Sequence, residues 1–203
     1  MRRQTYALGL VAALALASAS CGDVIRQGRS PVLLVVNSLT AAPGKTPTQF
    51  SQFLDSDVLN IVTSPDPCSP TNPCPTIFSD VGQATFALAM KDTSITPTSN
   101  NQVTLTSYHV QFTRADGRNS PGVDVPYAFD GAVTLTLAPG GTASVGFEIV
   151  RHVAKLEAPL VQLINNSNLI TTLATVTFYG HDLVGNDITA TGTITVVFGN
   201  FGG

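Results

Sequence analysis

Side chains able to do chemistry are few in this chain of 203 residues, which has three cysteines and three histidines. His109, His152 and His181 lie far apart, and none belongs to a His-x-His, His-x-x-His or HExxH pair. Such pairs place two zinc ligands on one face of a strand or helix. We therefore expect each histidine to be a surface or half-buried structural residue, and we expect no metal site.

Acidic residues give no better signal for catalysis. A pair of carboxylates for glycoside hydrolysis could be chosen from Asp55, Asp57, Glu148 and Glu157, but thirteen acids always allow such choices. Residues 116–119 and 182–187 carry oxygen ligands without the regular spacing of a calcium loop, so hairpin turns are the better interpretation. The sequence also lacks a Gly-x-Ser-x-Gly elbow and a Gly-rich phosphate loop. We expect no catalytic residue, no cofactor and no enzymatic activity.

Cys68 and Cys74 lie in residues 64–76, where five of the thirteen residues are proline. Proline lacks an amide N–H and has a fixed φ, so this composition excludes a helix or a central strand and predicts an exposed loop. In an oxidising compartment the two thiols are expected to form a disulfide. Closing so short a ring stabilises a fold by about 2.4 kcal/mol. A metal site is the alternative, but Cys-x5-Cys without a nearby histidine has poor ligand spacing.

The first twenty residues have the three parts of a secretory signal peptide. Arginines at positions 2 and 3 are followed by residues 6–17, which are almost all apolar, and then by small residues at 18–20. The apolar stretch is too short to cross a bilayer, which needs about 20 residues. The pattern predicts that residues 1–20 are a cleaved export signal. A buried core helix at the N-terminus is the alternative.

The end of this segment, Ser18-Ala19-Ser20-Cys21, resembles the lipobox of bacterial lipoproteins, in which small residues precede the cysteine that receives the lipid. It departs from that family at Ser18, where leucine is usual. The resemblance implies that Cys21 is lipidated with three acyl chains and anchors the protein to the cell envelope, with the outer membrane as the expected site. Cleavage before Ser20 by ordinary signal peptidase, which would give a secreted protein, is the alternative.

Composition narrows the possible partners. Without the first twenty residues, eight basic residues remain against thirteen acidic ones, a net charge of −5. An acidic chain without a basic patch has no electrostatic basis for binding nucleic acid. Tryptophan is absent and aromatic residues make up only 7%, which weighs against carbohydrate binding, since sugars usually stack on exposed rings. The expected partners are the membrane, through the lipid, and proteins of the envelope or surface.

After a short tether, residues 21–29, apolar and polar residues alternate to the end, so residues 30–203 are expected to form one β domain. Residues 31–37 are apolar on both faces, as in a buried first strand. Residues 133–137 and 145–149 alternate around a Pro-Gly-Gly turn, which predicts a hairpin.

Two places depart from simple alternation. The apolar residues of 103–105 have odd numbers and those of 108–112 have even numbers, which predicts a β-bulge at Thr106 or Ser107. Residues 158–165, with a proline near the start and Asn-Asn-Ser after the last apolar pair, predict one or two helical turns.

Arg151 and Lys155 flank an apolar strand end. We expect these charges to lie on an edge strand and to keep it from pairing with another chain. A charged edge that faces a partner is the alternative.

Residues 174–198 read as two alternating strands around Asp182-Leu-Val-Gly-Asn186, which resembles the turn between the last two strands of bacterial immunoglobulin-like and fibronectin-type domains. In such a turn Asp182 caps the backbone and Gly185 supplies a positive φ. The resemblance implies an all-β fold, a single two-sheet sandwich of seven to nine strands with one short helix. The residues expected to face its core are Val176, Phe178, Ile188, Ala190, Ile194, Val196 and Phe198.

The mature chain is similar as a whole to small bacterial lipoproteins. We expect a non-catalytic, membrane-anchored envelope lipoprotein whose Ig-like domain is a structural or protein-interaction module. Two alternatives stay open: an unlipidated, secreted subunit of a surface assembly that uses its edge strands, and an extracytoplasmic hydrolase.

Overall fold

The computed structural model describes residues 28–202, which are mainly strands. The strands are β1 Val32–Ala42, β2 Phe53–Asp57, β3 Asn60–Val62, β4 Cys74–Thr76, β5 Asp80–Met90, β6 Val103–Thr113, β7 Phe129–Leu137, β8 Thr142–Val150, β9 Ile170–Asp182 and β10 Asp187–Gly199. The helical segments between β1 and β10 are α1, His152–Lys155, and two 3₁₀ turns, Ser99–Asn101 and Leu160–Asn165. Within the described range, no helix is both long and apolar enough to cross a membrane.

Eight of these strands form two sheets around a shared apolar core. One sheet has the order β1-β5-β8 and the other β2-β10-β9-β6-β7. Pairing within them is antiparallel except between β2 and β10, which run parallel. In immunoglobulin nomenclature the sheets are A-B-E and C′-C-F-G, with β2 added beside strand G. The prediction of an all-β, Ig-like sandwich of seven to nine strands is confirmed, and β3 and β4 add a small separate ribbon.

The hairpin β9–β10 shows how the alternating sequence builds the core. The strands pair over twelve positions, from Ile170 opposite Phe198 to His181 opposite Asp187. All seven residues predicted to face the core are buried. The outward threonines of the two strands are half-buried or exposed. A slip of one residue would bury these hydroxyls and expose the apolar side chains, so the pattern fixes the register.

The turn that joins β9 to β10 has the predicted chemistry. One Asp182 carboxylate oxygen accepts the backbone N–H groups of Val184 and Asn186 at 3.1 and 2.8 Å, and the other accepts the Asn186 side-chain amide at 2.8 Å. Gly185 has a φ of +86°. Burial raises the pKa of the Asp182 carboxyl, but its hydrogen bonds from Asn186 and Val184 outweigh burial and lower it.

The predicted β-bulge is confirmed at Thr106. The register of β6 against both β7 and β9 shifts between Leu105 and Ser107. Gly180 of β9 lies against this site, where a Cβ atom would collide with the β6 backbone. Because of the extra residue, both Leu105 and Tyr108 point into the core although their numbers differ by three.

The prediction that residues 31–37 form a strand buried on both faces is wrong. β1 is the edge strand of the three-stranded sheet, and only its inner face, with Val32 and Leu34, is covered. Leu33 and Val35 are exposed on the outer face. The continuous run of apolar residues suggested burial on both faces, but a two-sheet sandwich has no third layer to cover the outer face of a sheet.

The predicted helical turns in residues 158–165 are present as the 3₁₀ turn Leu160–Asn165, whereas α1 was not predicted. The proline-rich loop is only partly as expected. Most of its residues are exposed, but β4 inside it pairs with β3. Proline is tolerated there because both strands of a two-stranded ribbon are edge strands. The backbone N–H that proline lacks would have no partner strand on the outer side.

Candidate functional site

A fully buried ion pair lies where β2, β5 and α1 meet. The Lys155 ammonium group is 2.9 Å from a carboxylate oxygen of Asp80, and both side chains are at most 1% exposed. The same ammonium donates a hydrogen bond of 2.8 Å to the backbone carbonyl of Asp57. The group therefore ties α1, at the end of β8, to two strands that come much earlier in the chain.

Further donors surround the Asp80 carboxylate. The Ser56 hydroxyl donates to the oxygen that also contacts Lys155, at 2.6 Å, and the backbone N–H of Gly44 donates to the other oxygen at 2.8 Å. Burial raises the pKa of the Asp80 carboxyl, and its contacts with Lys155, Ser56 and Gly44 oppose that rise. With hydrogen-bonding partners on both oxygens, the pair meets the condition under which a buried ion pair is tolerated.

The enclosure of this cluster decides what it can do. An amine without solvent exposure cannot reach a substrate outside the protein, so we interpret the Lys155–Asp80 pair as a structural tie. Asp57, one of the acids considered for catalysis, is buried beside it, and its carboxylate accepts the backbone N–H groups of Leu59 and Phe201, each at 3.3 Å. This acid is also used to hold the backbone.

The prediction that Arg151 and Lys155 form an exposed charged edge is wrong. Lys155 is buried, and the guanidinium group of half-buried Arg151 lies 4.4 Å from the centre of the Phe129 ring. α1 turns the chain over the end of the sandwich and carries Lys155 to partners 75 and 98 residues earlier. A lysine among apolar residues, at 153–156, was the only local signal.

The three histidines are exposed or half-buried, as predicted. His152 and His181 are exposed. His109 pairs across the strands with Asp130 at 2.8 Å, on the outer face of the five-stranded sheet, where Asp130 is 80% exposed. Water screens a pair at such a site, so it stabilises the fold only slightly.

The two turns that carry oxygen ligands use their carboxylates internally. Asp116 forms ion pairs with Arg114 and Arg118 at 2.6 and 2.9 Å. These contacts lower the pKa of Asp116 far below its ordinary value. Asp182 is occupied by its own turn, as described above. In residues 28–202 no three His, Cys, Asp or Glu side chains come together as a metal site would require.

A cleft of about 340 Å³ lies at the end of the sandwich beyond β6. Its polar lining includes Arg114, Arg118, Asp124, Gln162 and Asn168, with Asp124 as its one acidic residue. Hydrolysis of the kind considered above needs two carboxylates, or a histidine and an aspartate that converge in such a cleft. The cleft does not supply either pair.

The predicted disulfide is present. Cys68 and Cys74 are bonded, with Cα atoms 5.4 Å apart, and both are half-buried in otherwise exposed surroundings. The bridge joins the start of β4 to the loop before it, and β4 belongs to the small ribbon rather than to the two sheets of the sandwich. Cys21, the predicted lipidation residue, lies outside the described residues, as do the predicted signal peptide and most of the tether.

Replacing both Cys68 and Cys74 with serine is expected to lower the free energy of unfolding by no more than about 2–3 kcal/mol, because only a short peripheral ring is released. Urea denaturation of the variant and the parent measures the loss. Alkylation of the unfolded, unreduced parent should leave both thiols unlabelled, and labelling of both would contradict the bridge.

Comparisons of this chain with protein-family models, curated proteins and solved structures found no match.

Proposed function

We propose that this protein is an exported bacterial lipoprotein, anchored through Cys21 to the cell envelope and there to the outer membrane. Its Ig-like sandwich serves as a non-catalytic module for structural or protein contacts. The N-terminal charge pattern, the apolar stretch and the lipobox-like residues 18–21 support export and lipidation.

The observation that carries this proposal is the disulfide. Disulfides persist in oxidising compartments outside the cytoplasm, so the Cys68–Cys74 bridge supports export independently of the N-terminal sequence. The bridge also uses two of the three cysteines. The third, Cys21, stands where a lipoprotein carries its lipid. Several acyl chains on one residue give stable anchoring, because each buried CH₂ contributes about 0.8 kcal/mol.

The sandwich offers a surface that suits contacts with envelope proteins. Leu33 and Val35 on β1 lie opposite Ala89 and Ala87 on β5, and these side chains point away from the core. The resulting patch carries no charged side chain. A small apolar patch beside an edge strand can be covered by a partner without the cost of desolvating charges.

Replacing Cys21 with serine is expected to move the protein from the membrane fraction to the soluble exported fraction, because the acceptor of the lipid is lost. Cell fractionation with immunoblotting measures the distribution. The Cys68→Ser, Cys74→Ser variant is the matched control and should stay with the membranes. Equal membrane retention of the Cys21→Ser variant would contradict lipid anchoring.

A second candidate function is supported by the position of β1. Among the described residues, β5 is the only strand that pairs along the whole of β1, so the outer edge of β1 offers N–H and C=O groups for strand addition, except at Ala41, which is paired with Ser51. A secreted, unlipidated subunit of a surface assembly would use such an edge. Its mature chain would begin at Ser20 without a lipid, whereas the anchored protein would begin at acylated Cys21.

A further inference from the structure

The end of the sandwich where the chain enters β1 is closed by three connections, residues 91–102, 138–141 and 183–186. Val32, at the start of β1, lies opposite Met90, the last residue of β5. Asp182, the last residue of β9, lies opposite Val103, the first residue of β6. Val32 and Lys91 also line one small pocket together with Ile188 and Thr189, near the start of β10. The loop of residues 91–102 and the turn of residues 183–186 therefore stand beside the point where the tether meets the domain.

This end of the domain presents apolar side chains to solvent. Ile95 in the loop, and Leu183 and Val184 in the turn, are 53%, 55% and 68% exposed, and we refer to these three residues as the apolar tip. The turn is held by the hydrogen bonds of the Asp182 carboxylate and by the Leu183 N–H, which donates to the carbonyl of Gln102 at 3.2 Å. The backbone that carries these side chains is thus fixed before any partner binds, which lowers the entropy cost of docking.

The length of the tether decides what lies next to the apolar tip. Cys21 and Ser30 are nine positions apart in the sequence, and this length of chain spans at most about 30 Å when fully extended. The strands β9 and β10 have 13 residues each, so the opposite end of the sandwich is about 40 Å farther from the tether. A lipid on Cys21 would hold the apolar tip near the bilayer at high effective concentration and keep the opposite end away.

The charges around the tip are compatible with a lipid surface. Arg29 and Lys91 are exposed cations that can reach lipid phosphates, and Lys91 is held close by its N–H, which donates to the Pro31 carbonyl at 2.9 Å. The neighbouring acids are exposed Asp92 and half-buried Asp187, while Asp182 is buried and satisfied within its turn. The two cations offset the acids, so headgroup repulsion does not oppose docking.

We propose that the apolar tip docks on the bilayer that holds Cys21, with Leu183 and Val184 in the interface between headgroups and acyl chains. The sandwich then stands on the membrane and directs its opposite end outward. Apolar side chains next to cations are what an interfacial contact needs. This proposal rests on the lipid anchoring proposed above.

The absence of tryptophan from the chain permits a direct test. The lipidated full-length protein with Val184→Trp is reconstituted into vesicles of phosphatidylethanolamine and phosphatidylglycerol that contain a brominated lipid as quencher. The matched control is Val123→Trp, at an exposed valine in the loop between β6 and β7 at the opposite end. We expect the tryptophan at 184 to be quenched severalfold more strongly than the one at 123. Circular dichroism verifies that both variants are folded.

Flotation of the same samples separates the two proposals. If both variants float with the vesicles but are quenched equally, the docking of the tip is overturned and lipid anchoring stands. Both variants are expressed with their own N-terminal sequence in a bacterial host. If neither of them floats with the vesicles, lipid anchoring is overturned, and the docking that depends on it is overturned too.

Discussion

Replacing Phe178 with alanine is expected to lower the free energy of unfolding by about 3–5 kcal/mol, the range found when buried phenylalanine is truncated. Phe178 has no solvent exposure and lies at the centre of an aromatic cluster. Its ring centre is 4.8 Å from that of Phe86 and 5.3 Å from that of Phe147, in edge-to-face contacts that join the two sheets. The loss is a large share of the 5–15 kcal/mol that stabilises a typical domain.

Urea denaturation monitored by circular dichroism measures this effect. Thr193→Ala is the control on the same hairpin, because Thr193 is exposed on the outer face of β10, and its cost should stay within about 1 kcal/mol. Phe198→Ala, at a second buried position, should behave like Phe178→Ala. Similar losses for Phe178→Ala and Thr193→Ala would show that the hairpin does not face the core in the register described.

Replacing Lys155 with methionine is expected to lower the free energy of unfolding by about 3–5 kcal/mol, because the Asp80 carboxylate would stay buried without its cation. The cost should depend on pH in a defined direction. Burial raises the pKa of Asp80 in the folded protein, so the folded variant binds the carboxyl proton more tightly than the unfolded chain does. The variant therefore loses stability as the pH rises from about 3.8, the ordinary pKa of the unfolded chain, through the raised pKa of the folded state. Denaturation at several pH values measures the change.

The double variant Lys155→Met, Asp80→Leu distinguishes the loss of a partner from the loss of packing. Removing both charges is expected to recover much of the loss seen with Lys155→Met alone, because no unpaired charge remains buried. Lys91→Met, at an exposed lysine, is the matched control and should change the free energy of unfolding by no more than about 0.5 kcal/mol. A Lys155→Met variant as stable as this control would show that the pair does not tie the fold.

Local patterns in the sequence were enough to predict the parts of the fold in which each residue acts with its neighbours. The alternation in β9 and β10 predicted which side chains are buried, since a strand has a strict period of two. The change of parity after Leu105 predicted the bulge at Thr106 for the same reason. Asp182 and Gly185 predicted a tight turn because its backbone geometry demands those residue types.

Features that depend on distant parts of the chain could not be predicted in this way. The exposure of Leu33 follows from the position of β1 at a sheet edge, which strand order decides and local sequence does not. The burial of Lys155 depends on Asp80, 75 residues earlier, and on the path of α1. For the candidate site, the short spacing was enough to predict the Cys68–Cys74 bridge. The apolar tip could not be predicted, because Ile95 lies almost 90 residues from Leu183 and Val184 in the sequence and only the strand order places them at the same end of the sandwich.

The mass of the intact mature protein, purified with detergent from membranes of a bacterial host that processes lipoproteins, tests the proposed function most directly. A chain that begins at Cys21, contains the Cys68–Cys74 disulfide and carries the added mass of three acyl chains is the expected result. A chain that begins at Ser20 without added lipid mass would contradict lipid anchoring and favour the secreted subunit.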